Sequence, residues 1–373
     1  MRYFYFNPLT QYENMGDLLI NKSLLNLLRR YGTIIIDDRN KPVWFVNELK
    51  KESDLIVSEI FPKNLGNYLE DVLLENKEED DICYQVFVPG DKSRKGFKKA
   101  IWSLKHFYKL VKQKQKGCRS IRLGFSIGDF DTANLITESL YSLAFHTYGI
   151  RDSISMHYAR KFRFSNTVFF PDLAWAYEDY EDVPNPVNES SRYIVLSFRA
   201  NKVGTVYQSS YLSTAIDRLK KLFDVDWFNG VKIVISYQVA FDREACIQLR
   251  DALQNSGDIC FVDKLLTINE AIALYKGAEM TLSNRLHVLL LASISGCFAV
   301  PFINSAHNKK IVGIYQDNDL SDLIVDYNSS ETSMLDKLQG LIGEKDFVLK
   351  RLAEKRFDNI AQIKAVLNSI LVK

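Results

Sequence analysis

No run of about 18 apolar residues occurs anywhere in the 373-residue sequence, so no segment has the length that a membrane-crossing helix needs. The five cysteines (Cys83, Cys118, Cys246, Cys260 and Cys297) lie far apart and form no CxxC pair. That scatter excludes a disulfide framework or a zinc knuckle and fits reduced thiols. Asn7 and Pro8 break the first apolar stretch too early for a signal peptide, and a cytoplasmic protein is expected. A net charge of only +2 gives no general attraction for nucleic acid. Walker A, GxGxxG, HExxH and GxSxG patterns are all missing, and no His, Cys, Asp or Glu cluster has metal-ligand spacing. No cofactor and no metal are expected.

What is present is alternating strand and helix. Nearly half of the residues are hydrophobic and a quarter are charged, which suits a globular chain long enough for two cores. Arg2–Asn7, the helical pattern Leu18–Tyr31 closed by Gly32, and Thr33–Ile36 make one βαβ unit. Further strands are predicted at Leu55–Val57, Tyr84–Val88, Ser120–Gly124 and Val168–Phe170, with a glycine-bearing βα turn over Phe125–Asp129. Arg151 and Asp172 read as loop-fixing charges. The acidic, proline-bearing stretch Glu178–Arg192 is the clearest linker. Beyond it the alternation restarts, with strands at Tyr193–Phe198, Val231–Ser236, Ile259–Val262 and Met280–Leu282. The expected organisation is a doubly wound α/β domain over 1–185, a second over 192–340, and a C-terminal helix within 341–373.

Thr281–Gly313 concentrates the chemistry. Ser283-Asn284-Arg285-Leu286-His287 precedes the apolar run Val288–Ile294, then come Gly296 and a second apolar run to Ile303. This order reads as loop, buried helix, glycine stop, buried strand and loop. Arg285 and His287 then sit at a helix start, where unpaired N–H groups favour an anion. The next loop carries His307, Lys309 and Lys310, and Arg199 ends an earlier strand on the same sheet edge. Near the N-terminus, Asn14-Met15-Gly16-Asp17 reads either as a substrate loop, with Gly16 admitting a ligand and Asp17 offering a carboxylate, or as a helix cap. From Lys92 to Lys116 there are many Lys and Arg and no Asp or Glu, with Phe97, Ile101, Leu104, Tyr108 and Val111 at helical spacing. Such a helix either rests on anionic lipid, holds a polyanionic acceptor, or packs on the core with a basic outer face.

Several of these residues resemble the polysaccharide pyruvyl transferase family: Asn14-x-Gly16-Asp17-x-x-Ile20, Arg151-Asp152-x-x-Ser155, Pro171-Asp172, and above all Ser283-x-Arg285-Leu286-His287 with Gly296, Pro301 and Lys310-x-x-Gly313. The resemblance spans about residues 3 to 320. It implies an α/β fold of two Rossmann-like doubly wound domains, 1–185 on the acceptor side and 192–340 on the donor side, facing across a cleft (GT-B-like), with the C-terminal helix 341–373 packing back on the first. It also implies transfer from phosphoenolpyruvate to two hydroxyls of a sugar, giving a pyruvate ketal on a surface polysaccharide (capsule or exopolysaccharide) or its lipid-linked precursor. On that basis phosphoenolpyruvate lies against Arg199, Arg285 and His287 with Lys310 nearby, and the sugar lies near Asn14 and Asp17 on the facing domain. Glu13 stands where the family often has Gly, and His307 where it commonly has Tyr, so His307 is a candidate extra cation near the donor, its role left open by the resemblance. His287 is the candidate acid and Asp17 the candidate base, because histidine titrates near neutrality. A nucleotide-sugar glycosyltransferase and a non-catalytic member of a polysaccharide-assembly complex are the alternatives. The saccharide acceptor is free or lipid-linked, and the basic helix 92–116 is the expected peripheral contact with the inner face of the plasma membrane.

Overall fold

In the computed structural model the chain divides into two compact units, Met1–Tyr12 with Asp17–Asp179 and Asn359–Lys373, and Glu13–Gly16 with Tyr180–Asp358. The structure describes residues 1–61, 67–187, 192–200, 202–203, 206–207 and 209–372, with backbone alone at 202–203, 206–207 and 209–211. Residues 188–191 of the expected linker and Gly204 of the expected loop after Arg199 lie outside this set.

Unit 1 is built on parallel strands β1 (Arg2–Phe6), β2 (Thr33–Ile36), β3 (Leu55–Ile56), β4 (Ile82–Phe87), β5 (Gly90–Arg94), β6 (Cys118–Phe130), β7 (Phe145–Ile150) and β8 (Thr167–Phe169). Their order is β3-β2-β1-β4-β6-β7-β8, with β5 pairing β6. The chain winds outward from β1 in one direction and then in the other, so the order reverses between β1 and β4. The central strands are near-continuous apolar runs because helices cover both faces of a parallel sheet. Those helices are α1 (Met15–Leu28), α2 (Val43–Leu49), α3 (Val57–Ile60), α4 (Leu74–Asn76), α5 (Phe97–Gln115), α6 (Thr132–Ser142) and α7 (Ser153–Lys161).

Two expectations change here. The glycine-bearing turn at Phe125–Asp129 is strand: β6 runs on to Phe130 because Gly124 takes φ +71° and the second half of β6 pairs with β5. For the same reason the basic helix begins at Phe97, and Lys92 and Arg94 belong to β5.

Unit 2 has strands β9 (Tyr193–Ser197), β10 (Lys202–Val203), β11 (Val206–Tyr207), β12 (Lys232–Ile235), β13 (Ile259–Phe261), β14 (Met280–Ser283), β15 (Ala299–Ile303) and β16 (Val325–Asp326). Its helices are α8 (Ser209–Phe223), α9 (Arg243–Leu253), α10 (Ile268–Lys276), α11 (Leu286–Ile294), α12 (Lys309–Asp317) and α13 (Glu331–Gly343), and the last helix is α14 (Lys345–Leu371). The parallel sheet has the order β13-β12-β9-β14-β15-β16, the doubly wound pattern that reverses between β9 and β14. Val288–Ala292 of α11 are fully buried beside β14 and β15, which is why this helix has no polar face.

Candidate active site

The reversal between β9 and β14 positions the donor-side candidates in unit 2. Ser283 ends β14 and donates from Oγ to the Ser197 carbonyl at 2.5 Å, while accepting from Arg285 N–H at 2.9 Å. Asn284 accepts from Arg199 N–H at 2.9 Å and donates to the Arg199 carbonyl at 3.0 Å. One buried asparagine therefore ties together the ends of both switch-point strands. Arg285 pairs with Asp242, a carboxylate that is itself 2% exposed. Burial pushes the Asp242 carboxyl above its ordinary value, against the opposing pull of Arg285 and Arg199. The Nε of Arg285, the Oδ2 of Asp242 and the Nε2 of Gln238 are buried with no hydrogen-bond partner among the described residues. Buried polar atoms are normally paired, so these three are hydrogen-bonding positions that the described residues leave open at this sheet edge.

Asn14 and Gly16 belong to the same unit. Asn14 bridges to Val239, and Met15 N–H reaches the Gln238 carbonyl at 3.4 Å. The Asn14 side chain accepts from Gly16 N–H at 3.0 Å, so asparagine caps α1. A Cβ added to Gly16 would lie 2.5 Å from Nε2 of Gln238 and 2.9 Å from Cγ of His287, with Nδ1 closer still. Only glycine allows this backbone so near the imidazole.

Asp17 belongs to unit 1 and sits inside the first turn of α1, where it accepts from the Thr10 hydroxyl and from Gln11 N–H at 3.3 Å. Its place as a cap is taken by Asn14. His307 and Lys310 are exposed, in the turn before α12 and in its first turn. Arg151 and Asp172 form a buried pair at 2.8 Å, and Asp152 caps α7 through Ser155 N–H at 2.7 Å.

A second site lies wholly in unit 1, beside the reversal between β1 and β4. It is a cavity of about 810 Å³ reached by Asn7, Gln85, Lys92, Arg94, Trp102 and Arg122. Seven of its lining side chains are lysine or arginine. Arg94 and Arg122 share the fully buried Glu138 at 2.5 and 2.8 Å, and Arg39 is held by Asp37 at 2.8 Å. Tyr148 also donates to Glu138 at 2.5 Å. Reading the sequence in order identified the basic stretch but not Gln85 or Arg122, which line the cavity from other strands, nor Glu138 of α6, which holds Arg94 and Arg122. Asp242 and Gln238 were likewise invisible beside the histidine motif.

The sequence model of a family described as polysaccharide pyruvyl transferase matches residues 14–306. No curated protein matches the chain. Among solved structures, the UDP-GlcNAc 2-epimerase from Neisseria meningitidis bound to UDP-GlcNAc has a TM-score of 0.59 at 11% identity, covering all of both chains. A glycosyltransferase from Rickettsia africae has a TM-score of 0.60 at 11% identity, covering 99% of this chain and 98% of that one. A putative UDP-N-acetylglucosamine 2-epimerase from Listeria monocytogenes has 0.55 at 10%, covering 99% and 96%. At such identities the likeness shows the fold, two Rossmann-like doubly wound units of the GT-B-like class. The matched segment takes in Asn14, Gly16, Arg199, Arg285 and His287, and covers most of the chain. With that match and this arrangement of residues, the chain belongs to the polysaccharide pyruvyl transferase family.

Proposed function

We propose that the protein transfers a pyruvyl group from phosphoenolpyruvate to two hydroxyls of a sugar, forming a cyclic ketal on a surface polysaccharide or its lipid-linked precursor. The observation that carries this reading is the grouping of Arg199, Arg285 and His287 at the switch point of unit 2, with the Arg199 and Arg285 backbones tied to Asn284 and Ser283. Phosphoenolpyruvate has a carboxylate and a phosphate, and guanidinium groups suit both. One sugar hydroxyl adds to C2 of the enol while His287 delivers a proton to the methylene carbon. The second hydroxyl then displaces phosphate from the tetrahedral carbon. Two hydroxyl protons are lost, one replacing the proton given to carbon and one leaving with phosphate. Asp17 is the candidate base, and Lys310 adds positive charge to the donor side.

A nucleotide sugar is the second reading, since the structural neighbours include a glycosyltransferase and an epimerase with UDP-GlcNAc bound. Thermal shifts with each donor separate the two. Stabilisation by phosphoenolpyruvate and not by nucleotide sugars supports the pyruvyl reading, the reverse result overturns it, and silence with both points to a non-catalytic member of an assembly complex. Arg285→Ala should weaken phosphoenolpyruvate by at least tens of fold, the effect of losing one partner of a desolvated charge pair at roughly 2–5 kcal/mol. His287→Ala and His287→Asn should bind it and lose turnover by about 10²–10⁴.

Peripheral contact with an anionic membrane fits the same role. No helix among the described residues is long and apolar enough to cross a membrane. On α5, however, Phe97 is 76% and Tyr108 62% exposed, with Ile101 and Leu104 exposed between them, while Val111 turns in to the core of unit 1. At 100° per residue these four fall within about 60° of one another, with Lys98, Lys105 and Lys112 alongside. Neighbouring α6 exposes Ile136 and Leu140 as well.

A further inference from the structure

Lys92 has no ion-pair or hydrogen-bond partner among the described residues, although it lines the unit 1 cavity between strands. Burial first, then Arg122 and Arg94, hold its ammonium below the usual lysine value, and the carboxylates of Asp17 and Asp91 act on it only at a distance. A half-buried ammonium without a counter-ion is costly unless an anion completes it. Asn7 and Gln85 line the same cavity, and the amide oxygen of each is buried without a donor among the described residues. Those oxygens can only accept, so they call for hydroxyl or N–H groups on the ligand. A bare phosphate dianion would satisfy Lys92 and leave both oxygens unpaired. A neutral sugar would satisfy the oxygens and leave the lysine unpaired. The volume of about 810 Å³ also lies within the range of ligands much larger than phosphate.

We infer that the unit 1 cavity binds a phosphorylated saccharide, with Lys92 on the phosphoryl group and Asn7 and Gln85 accepting from sugar hydroxyls. This rests on the pyruvyl-transfer reading in naming the ligand as acceptor, and it narrows the acceptor class to a glycosyl phosphate or diphosphate. Lysine and arginine from β5, β6 and α5 supply more positive charge than Asp37, Glu138 and Glu70 offset. The cavity therefore keeps a net attraction for an anion even with its own pairs intact.

The test uses calorimetry on the full chain with a hexose 1-phosphate, the parent hexose, inorganic phosphate and phosphoenolpyruvate. The hexose 1-phosphate should bind more tightly than either the hexose or inorganic phosphate. Lys92→Met should weaken it roughly 30-fold or more, as expected for losing a partly desolvated charge contact. Lys92→Arg should recover much of the affinity, and Gln85→Leu should weaken the hexose and its phosphate alike. Arg285→Ala should leave hexose 1-phosphate binding unchanged. Thermal melting separates folding from binding: unliganded Lys92→Met should melt no lower than the wild type. Hexose 1-phosphate binding that is indifferent to Lys92→Met, or equal affinity for the free hexose, overturns the assignment. So does a Lys92→Met effect confined to phosphoenolpyruvate, which would make this the donor site. Loss of phosphoenolpyruvate binding in Arg285→Ala reports on the donor reading separately, so one can fail while the other stands.

Discussion

Gly16→Ala adds a single methyl group where the structure leaves no room for one. The new carbon would lie 2.9 Å from Cγ of His287 and 2.5 Å from the Gln238 amide nitrogen, against an ordinary contact of about 3.5–4.0 Å. The Gly16 backbone is not in the left-handed region, so alanine meets no conformational penalty there. Inside the first turn of α1 the exchange would by itself stabilise the fold by about 0.4–1 kcal/mol. The whole cost therefore falls on the two side chains, and the imidazole must move by about 1 Å. A displacement of that size in a proton-transfer group can lower the rate about 10²-fold. Single-turnover ketal formation with saturating phosphoenolpyruvate measures the chemical step directly, and thermal melting checks the fold. The expected result is a rate loss near two orders of magnitude with a melting temperature within a few degrees of wild type. Gly16→Ala combined with Gln238→Ala should recover part of the rate, because one of the two contacts is then relieved. A full-speed Gly16→Ala enzyme would show that the position of the His287 ring does not matter to catalysis, and the role assigned to it would fall.

Arg285→Ala strands the buried Asp242 carboxylate, so besides its weaker donor binding it should lose on the order of 3 kcal/mol of stability in denaturant titration, and Arg285→Ala with Asp242→Ala should regain much of that. Because Lys92 is held below the ordinary lysine value, anion binding should take up protons in the window between its lowered value and 10.5, and affinity should fall as pH rises through that window. Calorimetry in two alkaline buffers of different ionisation enthalpy checks this, and proton release in place of uptake would contradict it. In the same window the unfolded chain binds more protons than the folded one, so unliganded stability should rise with pH, and Lys92→Met should lack that slope. Lys105→Glu with Lys112→Glu should weaken binding to anionic vesicles at least about tenfold and leave turnover of a soluble acceptor unchanged, since neither lines the cavity; vesicle binding that does not change returns α5 to an ordinary basic surface.

What the sequence could reveal depended on how local the physics was. The βαβ alternation was legible because parallel strands such as Thr33–Ile36 are continuous apolar runs between amphipathic helices. Arg151 and Asp172 were legible as an ion pair, since both follow strand ends that lie side by side. The strand through Phe125–Asp129 was not legible. Gly128 lies against Asp91 and Ser93, and only that partner strand, far away in sequence, turns a glycine-bearing stretch into β6. The partnership of Arg285 with Asp242 and the approach of Gly16 to His287 are equally non-local. The stripe on α5 shows the limit of periodicity. Helical spacing marks Phe97, Ile101, Leu104, Tyr108 and Val111 as one set, yet only Val111 turns toward the core. A 3.6-residue period identifies a face and is silent on what the face meets.

The two switch points solve the same electrostatic problem differently, and the difference has a measurable consequence. In unit 2 a buried carboxylate, Asp242, holds the Arg285 guanidinium and feels Arg199 as well. An arginine fixed in this way needs little reorganisation when a carboxylate or phosphate arrives, so the donor side gains from geometry more than from net charge. In unit 1 Glu138 fixes Arg94 and Arg122, but Lys92 is uncompensated and the exposed Lys98 and Lys99 stand at the rim. Exposed charges are screened over about 8–10 Å at ordinary ionic strength, and buried pairs far less. Raising salt should therefore weaken binding of a hexose 1-phosphate more steeply than binding of phosphoenolpyruvate, although phosphoenolpyruvate carries the larger charge. Ligand charge alone predicts the opposite order. Affinities of both ligands measured across one salt series decide between them: a steeper slope for phosphoenolpyruvate would mean that the exposed lysines of unit 1 do not hold the acceptor.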